Sequence, residues 1–171
     1  DSQYRGIPDP SVALGFDVRG DYEASQTVTG SQGTKTLSCT GTALEPCLID
    51  ATGATFDKLT VSGSYVILQG GKVNAGPNNG PYLAASCSHC VIRDVEVEGP
   101  SVDTGHSSAV SMNSYSVWIR GSIHGFGDNR VDAAEQDYHG MKVMNDDVWI
   151  LEAEIYNCSG DSIQVGDASR G

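Results

Sequence analysis

The sequence has 171 residues, of which 39% are hydrophobic and 19% charged, and this suits one domain with an apolar core. Its apolar residues are too frequent and too regularly spaced for wholesale disorder, and no apolar run approaches the ~20 residues of a membrane span. Ten Lys and Arg against 22 Asp and Glu give a formal net charge of −12. This charge disfavours nucleic-acid binding, which needs clustered cations, and a polyanionic partner would need a divalent cation as a bridge.

The two ends of the chain differ from its middle. Residues 1–33 are polar, contain several Gly and Pro, and show little apolar pattern, so we expect them to wrap or cap a β domain formed by residues 34–171. At the other end the sequence stops just after a new repeat begins. This favours further coils of a longer chain, or a second subunit, covering that end.

The five cysteines favour an oxidising compartment. Cys39 and Cys47 bracket a short segment with Gly and Pro and suit a small disulfide loop. Cys87 and Cys90 allow a local disulfide, plain packing, half of a zinc site or a redox pair. We favour a disulfide or packing, because no second ligand pair and no following helix is found. Cys158 is either free and buried or paired with a segment outside this sequence, and secretion to an extracellular or periplasmic space is the expected localisation.

Short apolar alternations recur along the chain, with almost no helical periodicity apart from one possible turn at 131–136. Four of them are YVILQGGKV (65–73), CVIRDVEV (90–97), SVWIRGSI (116–123) and DVWILEAEI (147–155). Further short strands are predicted at 82–86, 109–113, 140–145 and 162–167. A constant internal pattern with irregular spacing predicts an all-β solenoid whose loops vary in length on one side.

This pattern, carried best by HGMKVMNDDVWILEAEIYNCSGDSIQVGD (139–167), resembles the right-handed parallel β-helix of the pectin-lyase-like superfamily. That superfamily includes pectate, alginate and chondroitin lyases. The resemblance covers about residues 34–167 and implies three short strands in each of five to six coils. It also implies a substrate lying along the outer face of the first strands.

Alternation along each strand assigns the inward positions. In the first strands these are Leu83, Val110, Met141 and Ile163, followed by Ala85, Met112, Val143 and Val165. In the second strands they are Val66, Cys90, Val117 and Val148, followed by Leu68, Ile92, Ile119 and Ile150. In the third strands they are Val73, Val97, Ile123 and Ile155.

The outward column of the first strands is the predicted site, with Ala84, Ser111, Lys142 and Gln164 in line. The longest loop between coils, residues 125–139, leads into Lys142 and is rich in polar residues. Long polar loops beside an exposed strand are where solenoids build sites. The candidate site residues in the 125–139 loop are Arg130, Asp132, Glu135, Asp137, Tyr138 and His139.

The chemistry expected there is β-elimination at a uronic acid. Lys142 is the candidate base, provided that it can lose its proton, and His139 or Tyr138 could share the proton transfers. Asp132, Glu135 and Asp137 are candidate Ca²⁺ ligands, because Ca²⁺ prefers carboxylate oxygens. The candidate substrate contacts are Arg130, Gln164, Ser111, Trp118 and Trp149.

Both tryptophans are predicted to point outward from the second strands, in one column with Ile67 and Val91. Exposed stacked aromatics need an explanation. Residues 1–33 could cover them, which we favour, a partner could bury them, or they could form a platform for sugar rings.

The leading functional hypothesis is a secreted, Ca²⁺-assisted lyase of an acidic polysaccharide. A non-catalytic carbohydrate-binding module using Trp118 and Trp149 is the main alternative, and a structural solenoid of an adhesin or fibre is the second. A hydrolase is a weaker enzymatic hypothesis. NCSGDSIQVGD (157–167) is similar to polygalacturonase-type sequences but lacks their accompanying His-Gly and Arg-Lys motifs.

Overall fold

A computed structural model describes residues 9–76, 80–100, 107–126, 138–143 and 145–166. Within these ranges the chain forms one short helix, α1 (Pro10–Leu14), and sixteen strands. The strands are β1 (Ala24–Thr27), β2 (Gly30–Ser31), β3 (Thr34–Thr40), β4 (Cys47–Asp50), β5 (Ala54–Phe56), β6 (Lys58–Gln69), β7 (Lys72–Asn74), β8 (Leu83–Arg93), β9 (Glu96–Glu98), β10 (Ser107–Met112), β11 (Ser116–Ile119), β12 (Ser122–Phe126), β13 (Tyr138–Val143), β14 (Val148–Leu151), β15 (Glu154–Cys158) and β16 (Ile163–Val165).

The strands form two parallel sheets. Sheet A runs in the order β1-β4-β6-β8-β10-β13-β16, with β3 beside β6 and with β11 between β8 and β14. Sheet B runs in the order β15-β12-β9-β7-β5-β2. The chain passes repeatedly from one sheet to the other, so each new strand pairs with a strand of an earlier repeat. The all-β prediction is confirmed, and the arrangement is compatible with a β-solenoid.

Two of the three predicted sets of inward columns have the predicted register, but Ile163 and Val165 in the last strand are exposed, at 41% and 76%, and are not buried as expected. In the first strands, Val110 pairs with Leu83 and Met141, and Met141 pairs with Ile163. In sheet B, Val73, Val97, Ile123 and Ile155 lie in one column. In the strands before β16 these residues are buried or half-buried, so one face of each of those strands packs into a shared core.

The predicted register of the second strands is wrong in one repeat. Cys90 pairs with Ser116 rather than with Val117, and Ile92 pairs with Trp118 rather than with Ile119. A shift of one residue moves every side chain of a strand to the opposite face. Trp118 therefore points into the main core, and Val117 and Ile119 point to the other side.

The predicted exposed tryptophan column is wrong as well. Trp118 is 0% exposed and Trp149 is 9% exposed, and they lie in different apolar clusters. Trp149 ends a column that runs across sheet A, and the N-terminal segment packs on this column with its own apolar residues. The column is Leu48, Ile67, Val91, Val117 and Trp149, and the covering residues are Leu14, Phe16 and Val18. Leu14, Phe16 and Val18 of the N-terminal segment share one apolar cluster with Trp149, in agreement with the favoured explanation for this residue.

A buried arginine fastens this segment to sheet A. Arg93 is 4% exposed, and its guanidinium donates to Gln69 Oε1 at 2.6 and 3.0 Å and to the carbonyl oxygen of Gly20 at 2.9 Å. Burial lowers the pKa of Arg93 from its ordinary value, although a guanidinium remains charged. Later residues of the same segment, β1 and β2, extend sheets A and B themselves.

The cysteines form two disulfides among the described residues, Cys39–Cys47 and Cys87–Cys90, with Cα–Cα distances of 6.1 and 5.8 Å. Cys158 is a free, half-buried thiol, and burial raises its pKa to about 11. Disulfides are typical of oxidising compartments. Within the described ranges, no helix has both the length and the apolar character needed to cross a membrane.

Candidate functional site

The predicted outward column on sheet A is confirmed. Ser111 of β10 pairs with Ala84 of β8 and with Lys142 of β13, and Lys142 pairs with Gln164 of β16. All four residues are half-buried, as expected for side chains on the outer face of a sheet. Three consecutive strands therefore bring a hydroxyl, an ammonium and an amide group together, although 53 residues separate Ser111 from Gln164 in the sequence.

The amide of Gln164 has unused hydrogen-bonding capacity. Its Oε1 atom is buried and makes no hydrogen bond among the described residues. Buried polar atoms in folded proteins are almost always paired. A donor from a bound ligand, such as a sugar hydroxyl, would satisfy this oxygen.

His139 lies on the same strand as Lys142 but is buried, being 5% exposed. The backbone N–H of Asp161 donates to its Nδ1 at 3.1 Å, and Asp161 Oδ2 lies 3.7 Å from the same atom. A neutral ring that accepts at Nδ1 carries its proton on Nε2. The expectation that His139 belongs to a surface loop is wrong, because β13 begins one residue earlier, at Tyr138.

Tyr138 is buried too, at 2% exposure, so its predicted place in a surface loop is also wrong. Its ring stacks on Phe126, with centroids 5.2 Å apart, and lies near Tyr82 at 6.3 Å. Its hydroxyl oxygen accepts a hydrogen bond of 2.9 Å from the Gly80 N–H. Because the apolar ring packs against other aromatic rings in the core, the Tyr138 side chain points inward and away from the Lys142 face.

The other predicted site residues lie outside the described residues. These are Arg130 and the proposed calcium ligands Asp132, Glu135 and Asp137, together with the predicted helical turn at 131–136. The described residues contain no group of three or more His, Cys, Asp and Glu that could hold a metal ion.

Sequence reasoning missed a charged cluster on the outer face of sheet B. Lys72 Nζ lies 2.9 Å from Glu96 Oε1 and 2.6 Å from Glu98 Oε2, and His124 Nε2 lies 3.1 Å from the same Glu96 oxygen. Tyr156 stacks on the His124 ring at a centroid distance of 4.9 Å. These residues occupy adjacent parallel strands, so only the strand register reveals their proximity.

The charged groups of this cluster interact with one another, with one lysine between two carboxylates. Lys72 is the main cause that holds the pKa of Glu96 below its ordinary value, and the hydrogen bond from His124 adds to this effect. The two carboxylates raise the pKa of Lys72 in turn. A partly exposed ladder of this kind ties strands together and is worth little individual stability in water. It leaves the Lys142 face as the better place for a ligand.

Comparison of the chain with protein-family models, with curated proteins and with solved structures gives no match.

Proposed function

We propose that this chain is a secreted, right-handed parallel β-helix of five to six coils that cleaves an acidic, uronate-containing polysaccharide by β-elimination. The observation that carries the proposal is the outward column on sheet A, where Lys142 lies between Ser111 and Gln164. A lysine side chain flanked by uncharged hydrogen-bonding groups can reach the sugar carbon that bears the carboxylate while its neighbours bind sugar hydroxyls. The resemblance to pectin-lyase-like repeats supports the same conclusion.

The reaction makes specific demands on this column. A base removes the proton from the carbon that bears the carboxylate, the electron pair forms a carbon–carbon double bond, and the bond to the leaving oxygen breaks. That oxygen then takes up a proton. In the proposal, neutral Lys142 is the base, and Ser111 and Gln164 hold the sugar ring against it. His139 is buried, accepts a hydrogen bond from the backbone N–H of Asp161, and would help to hold β13, the strand that carries Lys142, in place.

Calcium assistance is a separate part of the proposal. An acidic protein that binds an acidic polymer needs a means of reducing repulsion, and Ca²⁺ bound by Asp132, Glu135 and Asp137 would neutralise the substrate carboxylate. The proposal expects activity to fall on removal of divalent cations with EDTA and to return on addition of Ca²⁺.

The experiment follows the ultraviolet absorbance of unsaturated uronate products from polygalacturonate, alginate and chondroitin sulfate. We expect product from at least one polymer, and we expect Lys142→Ala to abolish it. Lys72→Ala is the matched control, since it removes a lysine that is paired with two glutamates on the other sheet. Activity retained in Lys142→Ala, or an equal loss in both variants, would contradict the assignment of the site to Lys142.

A further inference from the structure

The asparagines of the chain differ in the residues that follow them. Only Asn157 is followed two positions later by Ser or Thr, in the triplet Asn157-Cys158-Ser159, and its middle residue is not the proline that is barred there. This triplet is the acceptor pattern for attachment of an oligosaccharide to the asparagine amide in secreted proteins. The pattern is short and recurs by chance, so the placement of its three residues in the fold decides whether a glycan can be carried.

Asn157 lies at an exposed corner of the fold. It follows Tyr156 near the end of β15, it is exposed, and its side chain makes no hydrogen bond to the described residues. β15 is the outermost of the described strands of sheet B, so no other described strand of that sheet lies beyond it. A bulky, hydrophilic group on this amide can therefore extend into solvent.

The backbone at this corner tolerates an asparagine but does not require one. Asn157 has a φ angle of 53°, in the left-handed region that asparagine enters more readily than most residues. In the pairing of β12 with β15, Gly125 occupies the equivalent position of the preceding repeat, and its φ angle is 77°. Glycine adopts this conformation without steric cost and has no side chain. The corner therefore forms without the Asn157 amide, which leaves this amide available for modification.

The other two residues of the triplet are half-buried. Cys158 is a free thiol, so no disulfide to a described residue holds this segment. Ser159 Oγ accepts a hydrogen bond of 3.3 Å from the Tyr138 N–H, and the Ser159 N–H donates to the Phe126 carbonyl oxygen at 2.8 Å. Glycan transfer requires the serine hydroxyl on the chain before it folds, so its later burial does not prevent the reaction. Exposure of the asparagine then allows the modified chain to fold.

We propose that Asn157 carries an N-linked oligosaccharide, transferred as the chain enters a eukaryotic secretory pathway. The donor is an oligosaccharide joined through a diphosphate to a lipid. The amide nitrogen of Asn157 forms a bond to the first sugar carbon and loses a proton. The bond from that carbon to the diphosphate oxygen breaks, and the lipid diphosphate leaves with the electron pair. The proposal rests on the secretion proposed above, but not on the chemistry at Lys142, which lies on the other sheet.

The test is expression of the full chain, preceded by a cleavable secretion signal, in a eukaryotic host that performs N-glycosylation. Because the signal is supplied, the result does not depend on how the chain is naturally targeted or on any lyase activity. Mass spectra of the intact protein and of its peptides are recorded before and after treatment with peptide N-glycosidase. Protein retained inside the secretory compartment is measured in the same way.

Five variants accompany the unmodified chain. Asn157→Gln removes the acceptor and Ser159→Ala removes the hydroxyl, whereas Ser159→Thr and Cys158→Ala keep the acceptor pattern. Asn113→Gln is the matched control, because Asn113 is also exposed but is followed by Ser and then Tyr. Circular dichroism establishes that each variant is folded.

We expect the unmodified chain to gain the mass of an oligosaccharide that the glycosidase removes, leaving an aspartate at position 157. The gain should persist in Ser159→Thr, Cys158→Ala and Asn113→Gln, and it should be lost in Asn157→Gln and Ser159→Ala. An unmodified mass for the parent chain, or a glycan that persists in Asn157→Gln or Ser159→Ala, overturns the inference. Either result leaves the proposed lyase function standing, since that function is tested separately through Lys142.

Discussion

Gly121 leaves the space that the large Trp118 side chain occupies in the core. Replacing each residue alone and then both together therefore tests the strand register directly. Trp118 occupies the position of Ile92 and Ile150 in the neighbouring repeats. Gly121 occupies the position of Val95 and Ala153, as shown by the pairing of Ser122 with Glu96 and Glu154. The larger residue at one position is therefore matched by the smallest residue at the next inward position.

The expected cost of Gly121→Ala follows from this geometry. A Cβ atom at Gly121 would lie 2.6 Å from Trp118 Cε2, so the indole or the backbone must move. Overpacking of this kind costs about 1–3 kcal/mol. Replacing Gly by Ala also reduces the conformational entropy of the unfolded chain, which stabilises the folded state by about 0.4–1 kcal/mol. Because the steric clash is the larger effect, we expect Gly121→Ala to lower the free energy of unfolding by about 1–2 kcal/mol. This corresponds to a fall in Tm of about 2–8 °C for a chain of this size.

The assay is urea unfolding of five proteins: the unmodified chain, Gly121→Ala, Trp118→Ile, Gly121→Val and the Trp118→Ile/Gly121→Val double variant. Trp118→Ile leaves a cavity, although it also removes a buried indole N–H that has no partner among the described residues. The double variant recreates the Ile92–Val95 combination of the preceding repeat. We expect the two changes to compensate each other by about 1–3 kcal/mol. Additive effects would refute the register that places Trp118 in the core.

Three further outcomes are expected. Arg93→Leu should lower the free energy of unfolding by about 2–4 kcal/mol, because several hydrogen-bond acceptors lose a charged donor. It should also speed proteolysis within residues 9–20. Unchanged cleavage there would refute the role of Arg93 in holding the N-terminal segment on sheet A. The Cys158 thiol, with its pKa raised to about 11, should react with a thiol reagent at about pH 8 roughly a hundredfold more slowly in the folded chain than in urea. Because the unfolded thiol loses its proton first, Cys158 should also reduce stability as the pH rises from the unfolded pKa towards 11, and Cys158→Ala should remove this dependence. The bond from Arg120 holds the pKa of Asp94 below its ordinary value, so its stabilisation should be lost as the pH falls through that lowered pKa. Asp94→Asn should flatten the acid limb of the stability curve, and an unchanged limb would contradict this.

The core columns of the first and third strands were predictable because apolar and polar residues alternate there. Segment 116–119, Ser-Val-Trp-Ile, offers no such contrast, since its last three residues are all apolar. A strand buried on both faces loses its alternation, and here the N-terminal segment covers the second face. Gly121 could have indicated that Trp118 points into the core, because a large aromatic side chain there requires a small neighbouring residue.

The column of Ser111, Lys142 and Gln164 was predictable from alternation alone. The contact of His139 with Asp161 was not, because it depends on how β13 is aligned with the residues that precede β16. The cluster around Lys72 was not predicted for the same reason. Its residues lie on strands separated by loops of unequal length, so only the strand register shows that they are neighbours. Sequence patterns identify the face on which a residue lies, whereas neighbours on that face depend on the register between strands.

The N-terminal segment has a consequence for the way in which the molecule unfolds. In a simple solenoid each repeat touches only its neighbours, so the ends can fray independently. Here Leu14, Phe16 and Val18 pack on a column that runs from Leu48 to Trp149, and Arg19 bonds to Glu152, 133 residues away. A contact that spans five strands couples distant repeats to one another. We therefore expect the described repeats to unfold as one cooperative unit, with the segment acting as a longitudinal brace.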